Sequence, residues 1–139
     1  MHIRALADTG ALLACLDRSD PWHERCRAAF GQFRLPLSTS TAVLTELFHL
    51  VGDNPREVEL AWTFIRSGAV TVLPISDRDL SDIEALMRKY RDCPMGFADG
   101  TLVHLAQRES LSTVFTIDHH DFETYRVGGR KRLRILPPR

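Results

Sequence analysis

The fold of this chain is decided by the stretch Ile3-Arg4-Ala5-Leu6-Ala7-Asp8-Thr9-Gly10-Ala11-Leu12-Leu13-Ala14-Cys15-Leu16. Residues 3–7 are apolar except for Arg4, which predicts a short buried strand. Asp8-Thr9-Gly10 ends that strand, and the apolar run after it predicts a helix. A strand that leads straight into a helix is typical of α/β proteins, so we expect a parallel sheet.

The same alternation continues to the end of the chain. Strands are predicted at 35–38, 70–73, 113–117 and 133–136, and helices at 22–30, 41–51, 55–67, 78–90 and 96–109. Right-handed crossovers would then produce one α/β domain over residues 1–139, with a mainly parallel central sheet flanked by helices in three α/β/α layers. Ligands bind such sheets outside the carboxyl ends of the strands.

Composition is that of an ordinary globular domain. The 139 residues are 44% hydrophobic and 26% charged, with 18 basic and 18 acidic side chains that sum to zero. No apolar run approaches the roughly 20 residues of a membrane helix, and the N-terminus has no signal-peptide pattern, so we expect a cytoplasmic protein away from membranes. Cys15, Cys26 and Cys93 form no Cys-x-x-Cys pair, which predicts reduced thiols outside any disulfide or zinc site. The adjacent His119 and His120 are likewise interpreted as loop residues.

Acidic residues at four places are candidates for chemistry. Asp8 follows the first strand, where it could also cap a helix. Glu46 lies at the border of the apolar stripe of the 41–51 helix, where an exposed acid is ordinary. Asp99 points into the apolar face of the 96–109 helix, although a first-turn acid also suits the helix dipole. Asp118 and Asp121 follow the 113–117 strand, and either could cap a short helical turn.

Carboxylates that converge on one pocket raise one another's pKa unless a cation enters. Hard oxygen ligands select Mg²⁺ or Mn²⁺ and not zinc. Such a site suits hydrolysis of phosphodiesters, because a divalent ion can orient water and stabilise charge on phosphate.

The acidic motifs resemble those of one family, in order along nearly the whole chain. They are Ala7-Asp8-Thr9-Gly10-Ala11-Leu12-Leu13, Ser40-Thr41-Ala42-Val43-Leu44-Thr45-Glu46-Leu47, Gly96-Phe97-Ala98-Asp99-Gly100-Thr101-Leu102 and Phe115-Thr116-Ile117-Asp118-His119-His120-Asp121-Phe122. Together they are similar to the motifs of PIN-domain ribonucleases, and among these to the VapC toxins of toxin–antitoxin pairs. The sequence departs from the family pattern at Gly10, where a Ser or Asn is common, and at Gly100, where Ala is usual.

The resemblance implies a Mg²⁺- or Mn²⁺-dependent endoribonuclease, the toxin of a type II toxin–antitoxin system, which hydrolyses RNA with metal-activated water. The catalytic and metal-binding acids carried over are Asp8, Glu46, Asp99 and Asp118, with Asp8 and Asp99 as direct ligands. Asp118 is preferred as the fourth acid because it lies nearer the strand end than Asp121. Thr9 and Thr116 match hydroxyl positions that support the acids.

The resemblance also implies partners: an RNA substrate, a VapB-like antitoxin and a second copy of the chain. Leu47, Phe48 and Trp62 are proposed as apolar contacts of the homodimer. Basic residues proposed to contact RNA phosphates form two groups, Arg88, Lys89 and Arg91 beside a stacking Tyr90, and Arg130, Lys131 and Arg132 in the basic C-terminal run.

Two alternatives remain open. A phosphotransfer protein also places an Asp at a strand end, but Gly10 stands where a phosphatase has a second Asp, and neither Lys89 nor Lys131 follows a strand as in a receiver domain. A non-catalytic PIN module that binds RNA or protein would not need the intact acids. Failure to bind Mn²⁺ at neutral pH would favour this non-catalytic module over a nuclease.

Overall fold

Five parallel strands form the centre of the computed structural model, which describes residues 2–139. They are β1 (Leu6–Ala7), β2 (Leu37–Thr39), β3 (Val70–Val72), β4 (Thr113–Phe115) and β7 (Arg134–Leu136). Their order across the sheet is β3-β2-β1-β4-β7. A separate antiparallel hairpin joins β5 (Arg126–Val127) to β6 (Lys131–Arg132). The predicted parallel α/β architecture is confirmed.

Helices connect the strands. They are α1 (Thr9–Leu16), α2 (His23–Phe30), α3 (Thr41–Val51), α4 (Pro55–Phe64), α5 (Leu80–Lys89), α6 (Phe97–Arg108) and α7 (His119–Thr124). A π-helical turn over Ile65–Ala69 follows α4 and includes Gly68, whose backbone is not helical. A short 3-10 turn over Asp77–Asp79 precedes α5. Local signals explain the helix starts: the side chain of Asn54 caps α4 ahead of Pro55, and that of Ser40 caps α3.

The strand order reverses between β1 and β4. From β1 the chain moves to β2 and then β3 on one side, whereas β4 and β7 lie on the other side of β1. Right-handed crossovers in opposite directions leave the connections of these two strands on opposite faces of the sheet. The resulting crevice at their carboxyl ends is where α/β sheets bind ligands.

The core is formed by the sheet and the apolar faces of α1 and α6. Leu6 pairs with Val114 in adjacent strands, and both are fully buried. In α6, eight of the nine residues from Ala98 to Ala106 are buried, and the exception is Asp99. Gly100 allows this helix to approach α5, because a Cβ there would lie 3.2 Å from Ile83 Cγ2. The departure from the family pattern at Gly100 therefore has a packing reason.

Several sequence predictions need correction. The first strand is shorter than 3–7, and Ile3 makes only an isolated bridge to Phe33. The hairpin β5–β6 was missed, although Gly128 and Gly129, at φ 61° and 86°, supply the turn that joins its strands.

The apolar surface also differs from the prediction at one position. Leu47 is fully buried and cannot contact a second copy, so its proposed role in a dimer is wrong. Trp62 is 49% exposed and its ring lies 4.8 Å from that of Phe48. Over the described residues 2–139, no helix is both long enough and apolar enough to cross a bilayer.

Candidate metal centre

Asp8 lies at the crevice between β1 and β4. Its backbone N–H donates to the carbonyl of Phe115 at 2.9 Å, which extends the pairing of β1 with β4. It occupies the N-cap position of α1, yet its side chain makes no capping hydrogen bond. The carboxylate instead accepts a 2.8 Å hydrogen bond from the Thr116 hydroxyl. The capping interpretation of Asp8 is therefore wrong for its side chain.

Burial dominates the electrostatics of Asp8, whose residue is only 8% exposed. Loss of solvation raises the pKa of its carboxyl from 3.8 to about 6, against the hydrogen bonds from Thr116 and the Thr9 backbone. The negative charges of Asp118 and Glu46 raise this pKa further. A buried carboxyl with acidic neighbours is a place where a cation would be stabilising.

Thr116 joins two of the acids. Its hydroxyl donates to Asp8 and accepts a 3.0 Å hydrogen bond from the backbone N–H of Asp118. Because Thr116 follows β4 directly and is fully buried, it fixes the loop that carries Asp118 next to the end of β1. The predicted supporting position of Thr116 has this structural basis.

Asp99 faces the same crevice from the first turn of α6 and is half-buried. Its carboxylate accepts a 2.8 Å hydrogen bond from the hydroxyl of Tyr125. Burial raises the pKa of Asp99 to about 7, the charge of Asp8 adds to the shift, and the Tyr125 hydrogen bond opposes it. The predicted inward position of Asp99 is confirmed.

Tyr125 was missed by sequence reasoning. It is fully buried, and its ring packs edge-on against Tyr90 and Phe122, with centroids 5.1 and 5.2 Å away. Burial and the charge of Asp99 raise the pKa of Tyr125 far above its usual value, so the phenol keeps the proton that it donates. No sequence motif links Tyr125 to Asp99, because α6 and the end of α7 meet only in the folded chain.

Asp118 and Asp121 both belong to the acidic group. Asp118 caps α7, since its carboxylate accepts a 3.2 Å hydrogen bond from the backbone N–H of Asp121. Carboxylate oxygens of Asp99, Asp118 and Asp121 nevertheless all lie within 4.8 Å of one another. Burial, followed by the hydrogen bond and charge of Asp118, raises the pKa of Asp121. The geometry gives no ground for preferring Asp118 over Asp121.

Glu46 lies beside this group and not within it. It is exposed on α3, and its nearest contact with the site is the Thr9 hydroxyl, 3.4 Å from Glu46 Oε2. The same hydroxyl lies 3.3 Å from the carbonyl oxygen of Val43. Thr9 thus connects α3 to the start of α1, and Glu46 contributes negative charge at the rim.

The donor set fits a hard divalent cation. Asp99, Asp118 and Asp121 offer only oxygen atoms, the ligands that Mg²⁺ and Mn²⁺ prefer. The raised pKa values of Asp8, Asp99 and Asp121 record repulsion and burial that a bound cation would relieve. This acidic group could therefore bind a metal ion.

Basic side chains of the C-terminal run divide into two classes. Arg126 donates to the carbonyls of residues 123, 124 and 125 and so stabilises the end of α7, and Arg139 pairs with Glu123 at 2.8 Å and so holds the chain end. Arg130, Lys131 and Arg132 are exposed on the hairpin, and within residues 2–139 none of them forms an ion pair. These three remain available for a polyanion.

The basic cluster at 88–91 differs from its prediction at one residue. Tyr90 is 9% exposed and its hydroxyl accepts a hydrogen bond from the Arg126 backbone, so a stacking role toward RNA is wrong. Lys89 lies over the Tyr90 ring at 5.3 Å, and Arg88 pairs with Glu84 at 3.4 Å on the surface. Arg91 is exposed.

A second group of potential ligands shares one acid with the first. The sulfur of Cys93, a ring nitrogen of His120 and a carboxylate oxygen of Asp121 also lie within 4.8 Å of one another. The sequence prediction placed Cys93 and His120 outside any metal site, and the structure brings both next to the candidate metal centre. No motif spacing could have found the pair, because Cys93 precedes α6 and His120 belongs to α7.

Comparison with known proteins agrees with the fold and the motifs. The model of the PIN domain family matches residues 5–128. The chain is 29% identical over 134 residues to Ribonuclease VapC26 of Mycobacterium tuberculosis, covering 95% of this chain and 99% of that one.

Solved structures share the architecture at lower identity. VapC20 of M. tuberculosis, described as a toxin that cleaves the sarcin-ricin loop, has a TM-score of 0.74 at 16% identity, over 84% of this chain and 91% of that chain. A toxin–antitoxin complex from Klebsiella pneumoniae has a TM-score of 0.64 at 18% identity, over 86% and 91%. VapBC2 of Rickettsia felis, bound to a fragment of its promoter DNA, has a TM-score of 0.64 at 13% identity, over 96% and 97%.

Proposed function

The chain belongs to the PIN-domain family, and from that premise we propose that it is a Mg²⁺- or Mn²⁺-dependent endoribonuclease, the toxin of a type II toxin–antitoxin pair. The observation that carries the proposal is the group of Asp99, Asp118 and Asp121, with oxygens within 4.8 Å, next to the buried Asp8. Its position at the reversal of strand order is where an α/β sheet binds ligands. Similarity to a curated ribonuclease over 95% of the chain supports the same activity.

The proposed ligands are Asp8, Asp99 and Asp118, the last preferred only because it lies nearer the strand end in the sequence. Asp121 is an equally placed candidate in the structure, and Glu46 would lie in the outer shell or at a second ion. When bound, the ion would supply a Lewis acid that polarises the phosphate and lowers the pKa of water. Tyr125 and Thr116 hold the carboxylates of Asp99 and Asp8 in place by their 2.8 Å hydrogen bonds. Fixed ligands of this kind keep the reacting groups aligned without reorganisation during the reaction.

Protonation of the Asp8 and Asp99 carboxyls sets the pH range in which the site can bind metal. Because the pKa values of Asp8 and Asp99 are about 6 and about 7, the empty site retains protons near neutrality. Metal binding would compete with these protons, so occupancy should increase with pH. We therefore expect activity to fall below neutral pH.

The substrate is proposed to be RNA held by its phosphates. Arg130, Lys131 and Arg132 on the hairpin, with Arg88, Lys89 and Arg91 at the end of α5, are the residues proposed to contact it. The net charge of zero predicts modest affinity for RNA of arbitrary sequence and leaves selectivity to shape. We place this activity in the cytoplasm.

Two protein partners are proposed. A VapB-like antitoxin would bind the toxin, in line with the toxin–antitoxin complexes among the similar structures. A second copy would dock on the exposed apolar surface of α3 and α4, where Leu50, Leu60 and Trp62 are 57%, 52% and 49% exposed.

Sequencing of RNA ends after induction tests the proposed function in cells. Wild type should create new ends at a small set of sites, and Asp99→Asn should create none while accumulating to the same level. The exposed Asp53 lies outside the acidic group, and Asp53→Asn serves as the control that retains cleavage. The alternative, a non-catalytic module, predicts no new ends with wild type and no heat of Mn²⁺ binding at neutral pH.

A further inference from the structure

The group of Cys93, His120 and Asp121 differs in chemistry from the neighbouring carboxylates. It offers a sulfur, an imidazole nitrogen and one oxygen, all within 4.8 Å of one another. Sulfur and nitrogen donors favour zinc and related transition metals, whereas Mg²⁺ binds almost only oxygen. Two adjacent donor sets of different softness thus share Asp121.

One distance in this group is close to that expected in a tetrahedral zinc site. The Cys93 sulfur lies 3.9 Å from Asp121 Oδ1, with the thiol directed at the carboxylate. Zinc bonds of about 2.3 Å to sulfur and about 2.1 Å to oxygen at a tetrahedral angle place these atoms about 3.6 Å apart. A shift of a few tenths of an ångström would therefore bring the Cys93 sulfur and Asp121 Oδ1 to this spacing, and a ring nitrogen of His120 lies within 4.8 Å of the sulfur.

The site is also accessible. His120 is exposed on α7, and Cys93 is half-buried in the loop between α5 and α6. Neither residue holds another element of the fold: the only side-chain hydrogen bond of either within residues 2–139 is the one from Cys93 to Asp121. By contrast, Cys26 is fully buried, and burial raises the pKa of its thiol to about 11.

We propose that Cys93, His120 and Asp121 form a zinc-binding site that inhibits the nuclease by withdrawing Asp121 from the magnesium site. Zinc would take three protein ligands and one water, the Cys93 thiol would lose its proton to solvent, and Asp121 would turn toward the zinc. The proposed zinc binding depends only on the local geometry and not on the proposed function. Inhibition rests on the proposed function, since it requires that Asp121 serve the metal of the nuclease.

Cobalt provides a spectroscopic test of binding that does not depend on catalysis. Co²⁺ replaces zinc in Cys-containing sites, and a cobalt–thiolate bond adds a near-ultraviolet charge-transfer band. Reduced wild-type chain in excess Mg²⁺ should develop this band up to one Co²⁺ per chain. The band should disappear in Cys93→Ser and persist in Cys15→Ser and Asp99→Asn. In His120→Ala, the affinity for Co²⁺ measured from the band should fall about tenfold or more.

Three results would overturn the binding proposal: no charge-transfer band in wild type, a band undiminished in Cys93→Ser, or affinity unchanged in His120→Ala. Circular dichroism and thermal melting show whether each variant is folded. Because His120 is exposed, His120→Ala is expected to disturb folding less than Cys93→Ser does. If Cys93→Ser does not fold, the loss of affinity in His120→Ala decides the matter.

Zinc titration of RNA cleavage tests the inhibitory role. With Mg²⁺ fixed, Cys93→Ser should cleave as wild type does without zinc and need about tenfold or more zinc for half-inhibition. Equal sensitivity of wild type and Cys93→Ser would mean that zinc acts only by replacing magnesium among the carboxylates, which overturns the role. A chain that never cleaves RNA yet shows the cobalt band would refute the proposed function and keep the zinc site.

Discussion

Replacing Tyr125 by Phe removes one hydrogen bond from the candidate metal centre and little else. The hydroxyl of Tyr125 donates to Asp99 at 2.8 Å, and the ring is fully buried between Tyr90 and Phe122. Phenylalanine keeps the ring and its edge-on contacts, so the core stays packed. The change therefore isolates the effect of the hydroxyl on the carboxylate.

The size of the effect follows from the ionisation of Asp99. A hydrogen bond to a charged group contributes about 1.5–3 kcal/mol, and one pKa unit corresponds to about 1.4 kcal/mol. The substitution should therefore raise the pKa of Asp99 by about one to two units from its value of about 7. At pH 7 the ionised fraction would fall from about one half to between about one tenth and one hundredth.

The assay is the initial rate of RNA cleavage from pH 6 to pH 9 at subsaturating Mg²⁺. The acid limb of the Tyr125→Phe profile should move about one to two units upward, and higher pH or more Mg²⁺ should restore the rate. Tyr90→Phe is the matched control, because the Tyr90 hydroxyl accepts from the Arg126 backbone and is not bonded to an acid. Coincident acid limbs in wild type and a folded Tyr125→Phe would refute the reasoning.

Three further predictions follow from the same contacts. Asp8 and Asp99 have pKa values of about 6 and about 7, above the ordinary 3.8, so the folded metal-free chain binds more protons than the unfolded chain between about pH 4 and pH 7. Its melting temperature should therefore fall as pH rises through that range, and Mg²⁺ should reverse most of the loss; a melting temperature that rises with pH would contradict this. Thr116→Val removes the hydrogen bond to Asp8 and leaves the Asp118 N–H without its acceptor. Denaturant titration should therefore show that the free energy of unfolding falls by about 1–3 kcal/mol, and an unchanged midpoint would contradict this. Trp62→Glu places a charge on the exposed α4 surface and should convert a dimer to a monomer in light scattering, whereas a persisting dimer would exclude that surface.

The alternation of strands and helices could be predicted because it depends on local patterns of apolar residues and turn residues. The apolar run before Asp8 and the strand at 113–115 are short, buried and bounded by turn residues. The hairpin β5–β6 was missed because its strands are only two residues long and carry charge, as at Arg126 and Arg132. Its Gly128-Gly129 turn was the one usable signal.

The acids of the candidate site could be found from sequence because each stands at a strand end or inside an apolar helix face. Their supporting contacts could not. The hydroxyl of Tyr125 reaches Asp99 from a different element, and although the family resemblance named Thr116, it did not give the bond of Thr116 to Asp8 across two strands. Such contacts depend on how elements pack and leave no periodicity in the chain.

Helical phase correctly indicates the position of Asp99, whereas the dimer role proposed for Leu47 is wrong. Asp99 lies in the apolar face as its phase in the 96–109 helix indicates, and Leu47 is fully buried and so cannot contact a second copy. The phase of a helix gives its apolar stripe and does not say which part of that stripe a neighbouring element covers. For Leu47, the packing of α3 into the core decided the outcome.

The central claim is that the carboxylate group holds a divalent metal with which the chain cleaves RNA. Its most direct test is cleavage of RNA by purified chain during a Mg²⁺ titration, with wild type, Asp99→Asn and the control Asp53→Asn. We expect wild type and Asp53→Asn to cleave only when Mg²⁺ or Mn²⁺ is present, chelation to stop both, and Asp99→Asn to be inactive although folded. Cleavage by Asp99→Asn at the wild-type rate, or cleavage by wild type that survives chelation, would contradict the claim.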